Sequence, residues 1–239
     1  MEPLDTAFNK FCKFIESIGA DYWSSLQTEA DVRMKLIDPI FTGILGWPME
    51  EIHLENSGDS GRIDYRLTIK QRSRLIVEAK RKGRDLGISE SHAARYFKLN
   101  GSVFQTEASQ EAIKQLIGYC GTESAELACA TNGRQWFVFR GNRLADGQKI
   151  VDGMACVFGS LDAVKAKFQM FYNLLSFDAV NEHTFRAFFS RSRGSADPHF
   201  DVSITHPTLR FAENAACKSF VVRPRPNHGF ILPRHNRRR

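Results

Sequence analysis

The stretch GRIDYRLTIKQRSRLIVEAKRKGR, residues 61–84, decides the fold. It divides into two runs of strand character. In the first, Ile63, Tyr65, Leu67 and Ile69 alternate with Asp64, Arg66 and Thr68, the period of two that marks a half-buried strand. Asp64 then falls on the polar side, beside basic neighbours. The second run, Leu75-Ile76-Val77-Glu78-Ala79-Lys80, is too short and too apolar for a surface strand. It reads as a central strand with two charges at its C-terminal end. Five residues, Lys70 to Arg74, connect the runs, a length suited to a hairpin.

Glu78 and Lys80 stand at i and i+2 and so share one face, with Cα atoms roughly 6–7 Å apart. Antiparallel pairing of the two strands can bring Asp64 beside Glu78. Two carboxylates forced together repel, and one tends to keep its proton. A divalent cation removes that conflict, and Mg²⁺ commonly takes one or two carboxylates, waters and a phosphate oxygen. The Ala79 backbone carbonyl is a further candidate ligand. Lys80 would orient or help deprotonate an attacking water, or stabilise charge developing on a phosphate. The same spacing also arises in chains where such charges merely finish a strand. The surroundings favour chemistry: between Arg62 and Arg84 stand nine Lys/Arg and two acids, a cationic field suited to a polyanion. Arg62, Arg66, Arg81, Lys82 and Arg84 are the candidate contacts to that polyanion.

With 239 residues, 42% of them apolar and 19 of them Phe, the chain can fill one sizeable core. No run approaches the ~18 apolar residues that span a bilayer. The opening MEPLD lacks the basic start of a secretory leader. Five cysteines, Cys12, Cys120, Cys129, Cys156 and Cys217, lie in apolar surroundings without a CxxC pair. They read as small core residues of a reducing compartment. The expectation is a cytoplasmic protein with no membrane association. The net charge of +6 is uneven: seven Lys/Arg and no acid follow Glu213, leaving −1 on residues 1–213. Within the domain, cationic character is therefore local to the strand pair.

Leu4, Phe8, Phe11, Ile15 and Ile18 mark an N-terminal helix stopped by Gly19. A second helix opens at Thr28, with Asp31 completing a capping-box variant. It runs through Val32, Leu36, Ile37, Ile40, Phe41, Ile44 and Leu45 to Gly46, with a kink expected at Pro39. Glu29 and Arg33 at its start either face the site or serve the helix end. Residues 51–55 (EIHLE) form a short strand before a turn at 56–61. There Glu55 is a candidate ligand or water-positioning group. The poorly periodic segment 85–104 is either a wall of a nucleic-acid groove or a lid-like connection.

A helix spans 107–120, with Gln115 and Tyr119 stacked one turn apart. Strands at 127–131 and 136–140 meet through Asn132-Gly133, and 150–158 adds another. Ser160 caps a helix carrying Leu161, Val164, Phe168, Phe171 and Leu175, and a last helix covers 178–189. From Ser190 the composition turns to Arg, Pro, Ser and His. This gives one domain at 1–189 and a basic, partly disordered extension at 190–239.

This order resembles the PD-(D/E)xK nuclease superfamily, and within it the N-terminal endonuclease domain of type I restriction enzyme motor subunits. The residues that carry the likeness are LIDPIFTGILGWPMEEIHLE (36–55), RIDYRL (62–67), LIVEAKRKG (75–83), Gln115-x-x-x-Tyr119 and TNGRQWFVFR (131–140). The combination covers roughly residues 28–175. Ile63 stands where the family name has proline. The resemblance implies a three-layer, restriction-endonuclease-like α/β core with a central mixed β-sheet flanked by helices. It implies a Mg²⁺- or Mn²⁺-dependent DNA endonuclease of restriction or anti-phage defence. Asp64 and Glu78 match the metal-binding acids and Lys80 the catalytic lysine. Gln115 and Tyr119 match the pair that helps hold DNA or the site's geometry.

The chain carries no GxxxxGK[ST] phosphate loop, so any ATP-driven motor would come from another restriction or defence subunit. The competing expectations are a nucleic-acid-binding module with the fold but no chemistry, and a subunit of a larger restriction complex.

Overall fold

The computed structural model describes residues 3–58, 61–142 and 149–189. The extension 190–239, its boundary with the domain, and Cys217 lie outside the described residues. The fold is α/β, built on a seven-stranded mixed sheet in the order β1-β2-β3-β5-β6-β7-β4. Its strands are β1 (Ile52–Gly58), β2 (Gly61–Ile69), β3 (Arg72–Ala79), β4 (Ala93–Lys98), β5 (Leu127–Thr131), β6 (Trp136–Arg140) and β7 (Met154–Phe158). Among the described residues, only β3 and β5 pair in parallel; every other neighbouring pair is antiparallel. The parallel step needs a crossover, which helix α4 (Glu107–Glu123) supplies.

Helices cover both faces because the interior strands are apolar on both. On one face Tyr65, Leu67, Leu75, Val77, Ala79, Cys129, Trp136 and Phe158 pack against α1 (Leu4–Ser17), the helical segment at 29–44, α5 (Leu161–Ala166), α6 (Phe168–Leu175) and α7 (Phe177–Asn181). Trp136 and Phe158 both meet the Phe171 ring edge-on, with centroids 5.2 and 5.3 Å away. On the other face Ile76, Ala128, Ala130, Phe137 and Phe139 pack against Ala112, Leu116 and Cys120 of α4. Since Val77 and Ala79 belong to the first face, the alternation of β3 turns Glu78 to the α4 face at the sheet's end.

Several expectations are corrected by the structure. The β2–β3 connection is a two-residue turn at Lys70 and Gln71, both with positive φ (52° and 65°), closed by the Ile69–Arg72 pair. Strand twist favours that left-handed turn, and a bulge at Leu67/Thr68 absorbs the change of register. Ile63 does not share the core of Tyr65, Leu67 and Ile69; it joins the α4-side cluster. β1 runs on to Gly58, through residues read as a turn. Segment 85–104 contains an edge strand, β4, paired with β7. A short helix α2 (Ala20–Ser24) follows Gly19.

The second helix starts as α3 (Glu29–Val32) and widens into π-helical turns at Arg33–Ile37 and Ile40–Ile44 on either side of Pro39. Ile150–Asp152 is a 3₁₀ turn ahead of β7. The helix after Ser160 breaks at Lys167 into α5 and α6, and the last helix breaks into α7 and α8 (Arg186–Phe189). Cys12, Cys120, Cys129 and Cys156 are buried, with no disulfide among them. Among the described residues, no helix is long and apolar enough to cross a membrane.

Candidate active site

The C-terminal end of β3 lies between β2 and β5, and the chain's conversion from ladder to loop there builds the site. The β2–β3 ladder runs from Ile69–Arg72 to Tyr65–Val77. Beyond it, the Ala79 N–H donates to the Asp64 carboxylate (Oδ2, 2.8 Å). On the other side, the Lys80 N–H donates to the Thr131 carbonyl at 2.8 Å. Both acids and the lysine are thus fixed by backbone pairing within a few residues. Asp64, Glu78 and Lys80 keep only 8%, 4% and 8% of their surface exposed, rare for charged residues unless paired or engaged in chemistry.

Their bonding is asymmetric. Lys80 Nζ donates to Glu78 Oε1 at 2.8 Å and to Gln115 Oε1 at 3.0 Å, and lies 3.8 Å from Glu111 Oε1. The other oxygen of Glu78, Oε2, is buried without a hydrogen-bond partner. A buried carboxylate oxygen left unpaired is costly. Accordingly burial, reinforced by the like charge of Asp64, pushes the Glu78 carboxyl up to about 7. Burial raises Asp64 as well, against the Ala79 N–H and the Arg33 and Lys80 charges that lower it. Glu29 is raised by burial and then by Asp64. Burial opposes the Lys80 ammonium, but Glu78, Glu111 and Glu29 outweigh it and its pKa is raised. Lys80 is therefore a cation at neutral pH.

Gln115 and Tyr119 do not act as a stacked pair. Gln115 accepts from Lys80, whereas the Tyr119 hydroxyl donates to the Arg62 carbonyl at 3.0 Å and ties the start of β2 to α4. Glu55 lies on β1, and its side chain lies outside the described residues. Arg62, Arg81 and Lys82 are exposed, and the Lys82 ammonium donates to the Trp23 carbonyl. Arg66 faces Glu123 at 3.7 Å, away from the site. Arg84 bridges Glu107 (3.2 Å) and Glu111 (3.1 Å) in the first turns of α4. The cationic field expected from the sequence is therefore partly neutralised by acids from a distant part of the chain.

Three contributors escaped the sequence reading. Glu111 is one, recognisable only as the residue one helical turn before Gln115. Tyr65 and Asp38 are the others: the Tyr65 hydroxyl donates to Asp38 Oδ1 at 2.6 Å, while Arg33 lies 5.1 Å over the Tyr65 ring. Glu29 and Arg33, left open by the sequence, both face Asp64.

Among the described residues, no group of three or more His, Cys, Asp and Glu side chains converges as a metal cage. Mg²⁺ needs no such cage, being held by one or two carboxylates with waters and substrate oxygens. The unpartnered Glu78 Oε2, the adjoining Asp64 carboxylate and their raised pKa values fit that ion, with the Ala79 carbonyl at the same strand end. No protein-family model, curated protein or solved structure matches the chain.

Proposed function

We propose that this protein is a metal-dependent DNA endonuclease of the PD-(D/E)xK class, with a restriction-endonuclease-like core, acting in restriction or anti-phage defence. One observation carries the reading. Glu78, buried beside Asp64, has one oxygen bonded to Lys80 and the other oxygen unpaired. A buried ion pair is costly unless its remaining lone pairs are hydrogen-bonded; a carboxylate kept half-satisfied next to a second carboxylate suits a site that takes a cation.

Asp64 and Glu78 would hold Mg²⁺ or Mn²⁺, joined by the Ala79 carbonyl. Bound there, the ion supplies Lewis-acid charge to a phosphoryl oxygen and acidifies the attacking water. Lys80, charged and held by Glu78 and Gln115, orients water and stabilises charge on the phosphate; its raised pKa favours this over a role as general base. Gln115 fixes the Lys80 ammonium, and Tyr119 fixes the strand that bears Asp64. Hydrolysis adds water across one P–O ester bond, leaving a phosphomonoester and a hydroxyl. Arg62, Arg81 and Lys82, all exposed, would meet the DNA backbone.

The test is cleavage of supercoiled plasmid with Mg²⁺ or Mn²⁺ by wild type, Asp64→Ala and Lys80→Ala. Conversion to open-circular or linear DNA by wild type alone supports the reading. Equal cutting by all three would sink it. A wild type that binds the plasmid without cutting would favour a binding module, or a chain that waits for a partner motor.

A further inference from the structure

We infer that Arg33 is a phosphate-contacting catalytic residue of this site, and that its charge makes metal binding depend on the presence of substrate. The inference rests on the nuclease reading above and concerns a residue outside the D…ExK and QxxxY pattern.

Arg33 is aimed by its helix. Thr28 and Asp31 close a capping box: Thr28 Oγ1 accepts from the Asp31 N–H at 3.0 Å, and Asp31 Oδ2 accepts from the Thr28 N–H at 2.9 Å. That box sets where α3 begins, and it places Glu29 and Arg33 one turn apart on the same face. At Arg33 the helix widens into the π turn Arg33–Ile37. Such turns give up regular helical bonding and recur where a side chain must be redirected at a functional site.

Arg33 is also held. Its guanidinium lies 5.1 Å over the Tyr65 ring, and that ring is pinned by the Tyr65 hydroxyl's bond to Asp38. The side chain is 12% exposed. A planar, permanently charged group stacked on a fixed ring has lost most of its rotamer freedom before any ligand arrives.

The contact with Asp64 is loose. Arg33 Nη1 stands 3.9 Å from Asp64 Oδ1, too far for a hydrogen bond, and Asp64 is positioned by the Ala79 N–H instead. Lys80 is bonded to Glu78, so each carboxylate has a cation beside it, close at Glu78 and looser at Asp64. A divalent ion on Asp64 alone would lie near the guanidinium and be repelled by it. A phosphodiester monoanion resolves the conflict, because its two non-bridging oxygens can face the ion and the Arg33 fork together.

The test uses the full chain as wild type, Arg33→Ala, Arg33→Gln (which keeps part of the contact with the Tyr65 ring) and Arg33→Lys. Melting temperature is followed against Mg²⁺ without DNA, and plasmid cleavage is measured in parallel. Removing the guanidinium should lower the Mg²⁺ midpoint about three- to tenfold, since a nearby like charge is gone. It should also lower kcat by about 10²- to 10³-fold, as for loss of a transition-state donor, with partial rescue by Arg33→Lys. A higher Mg²⁺ midpoint would overturn the inference and make Arg33 a support for Asp64. An unchanged midpoint with wild-type cleavage would also overturn it. If wild type leaves the plasmid intact, the chain is a binding module or waits for a partner motor, and the midpoint still decides: lowered in Arg33→Ala and Arg33→Gln, the charge coupling stands; unchanged, or without any Mg²⁺ response, it falls.

Discussion

Glu78 offers the sharpest test of the site's electrostatics, because its effect on stability has a defined sign and window. Burial and Asp64 move its carboxyl from the ordinary 4.5 to about 7. Between those values the native protein holds a proton that the unfolded chain has released, so stability falls as pH rises. The contribution is fully present below pH 4.5 and lost as pH passes 7. At about 1.4 kcal/mol per pH unit the interval amounts to about 3 kcal/mol. For a domain of this size that is a fall of about 6–12 °C in melting temperature.

The measurement is calorimetric melting from pH 5 to 8 in chelator, with wild type beside Glu78→Gln. The glutamine keeps an oxygen for Lys80 and cannot ionise. The variant should melt above wild type at pH 8 and lose most of the slope. His92 and His183, lowered by burial, act in the opposite sense, but they cancel in the difference between the two proteins. A wild-type difference curve flat from pH 5 to 7.5, or a variant less stable at pH 8, would refute the argument that Glu78 is an uncomfortable buried charge.

Further expectations concern the metal, the strand anchor and the turns. Saturating Mg²⁺ should raise the melting temperature at pH 8 by a few degrees, corresponding to about 1–3 kcal/mol at ten- to hundredfold excess over Kd, and by less at pH 5.5; Asp64→Ala should abolish the rise, and persistence of the rise in that variant would move the metal elsewhere. Tyr119→Phe should cost about 0.5–1.5 kcal/mol by denaturant melts, through the lost bond to the Arg62 carbonyl; no loss would show that this bond does not anchor β2. Gly133→Ala should destabilise by about 1–3 kcal/mol in the same assay, because φ is +82° and a Cβ would meet Leu36 Cδ1 at 2.5 Å; a neutral result would mean that the loop and helix separate easily. DNA affinity should fall steeply between about 50 and 200 mM salt, and a flat response would remove Arg62, Arg81 and Lys82 from the interface.

The sequence by itself determined the elements that local chemistry controls. The Thr28/Asp31 cap, the Ser160 cap, the Asn132-Gly133 hairpin, and the apolar strand ending in Glu78-Ala79-Lys80 are all present in the structure, because each depends on residues a few positions apart. The i, i+2 spacing was enough to put Glu78 and Lys80 on one face. What local pattern could not carry was anything set by partners far along the chain. Strand β4 lacks the period of two because it is an edge strand, defined by its pairing with β7 about sixty residues later. Ile63 fits the alternation of β2, yet it packs on the α4 face with Ile76, where β2 has passed the end of its pairing with β3 and is paired with β1.

At the site, the acids and lysine were legible, but their bonding was not. Only the tertiary structure brings Arg84 against Glu107 and Glu111, turning an expected DNA contact into an ion pair, and only it sets Arg33 on Tyr65 beside Asp64. The reason is physical. A strand's period and a helix's cap are short-range properties of the backbone, whereas burial, charge and pKa arise from the summed field of residues that folding gathers from α3, β2, β3 and α4.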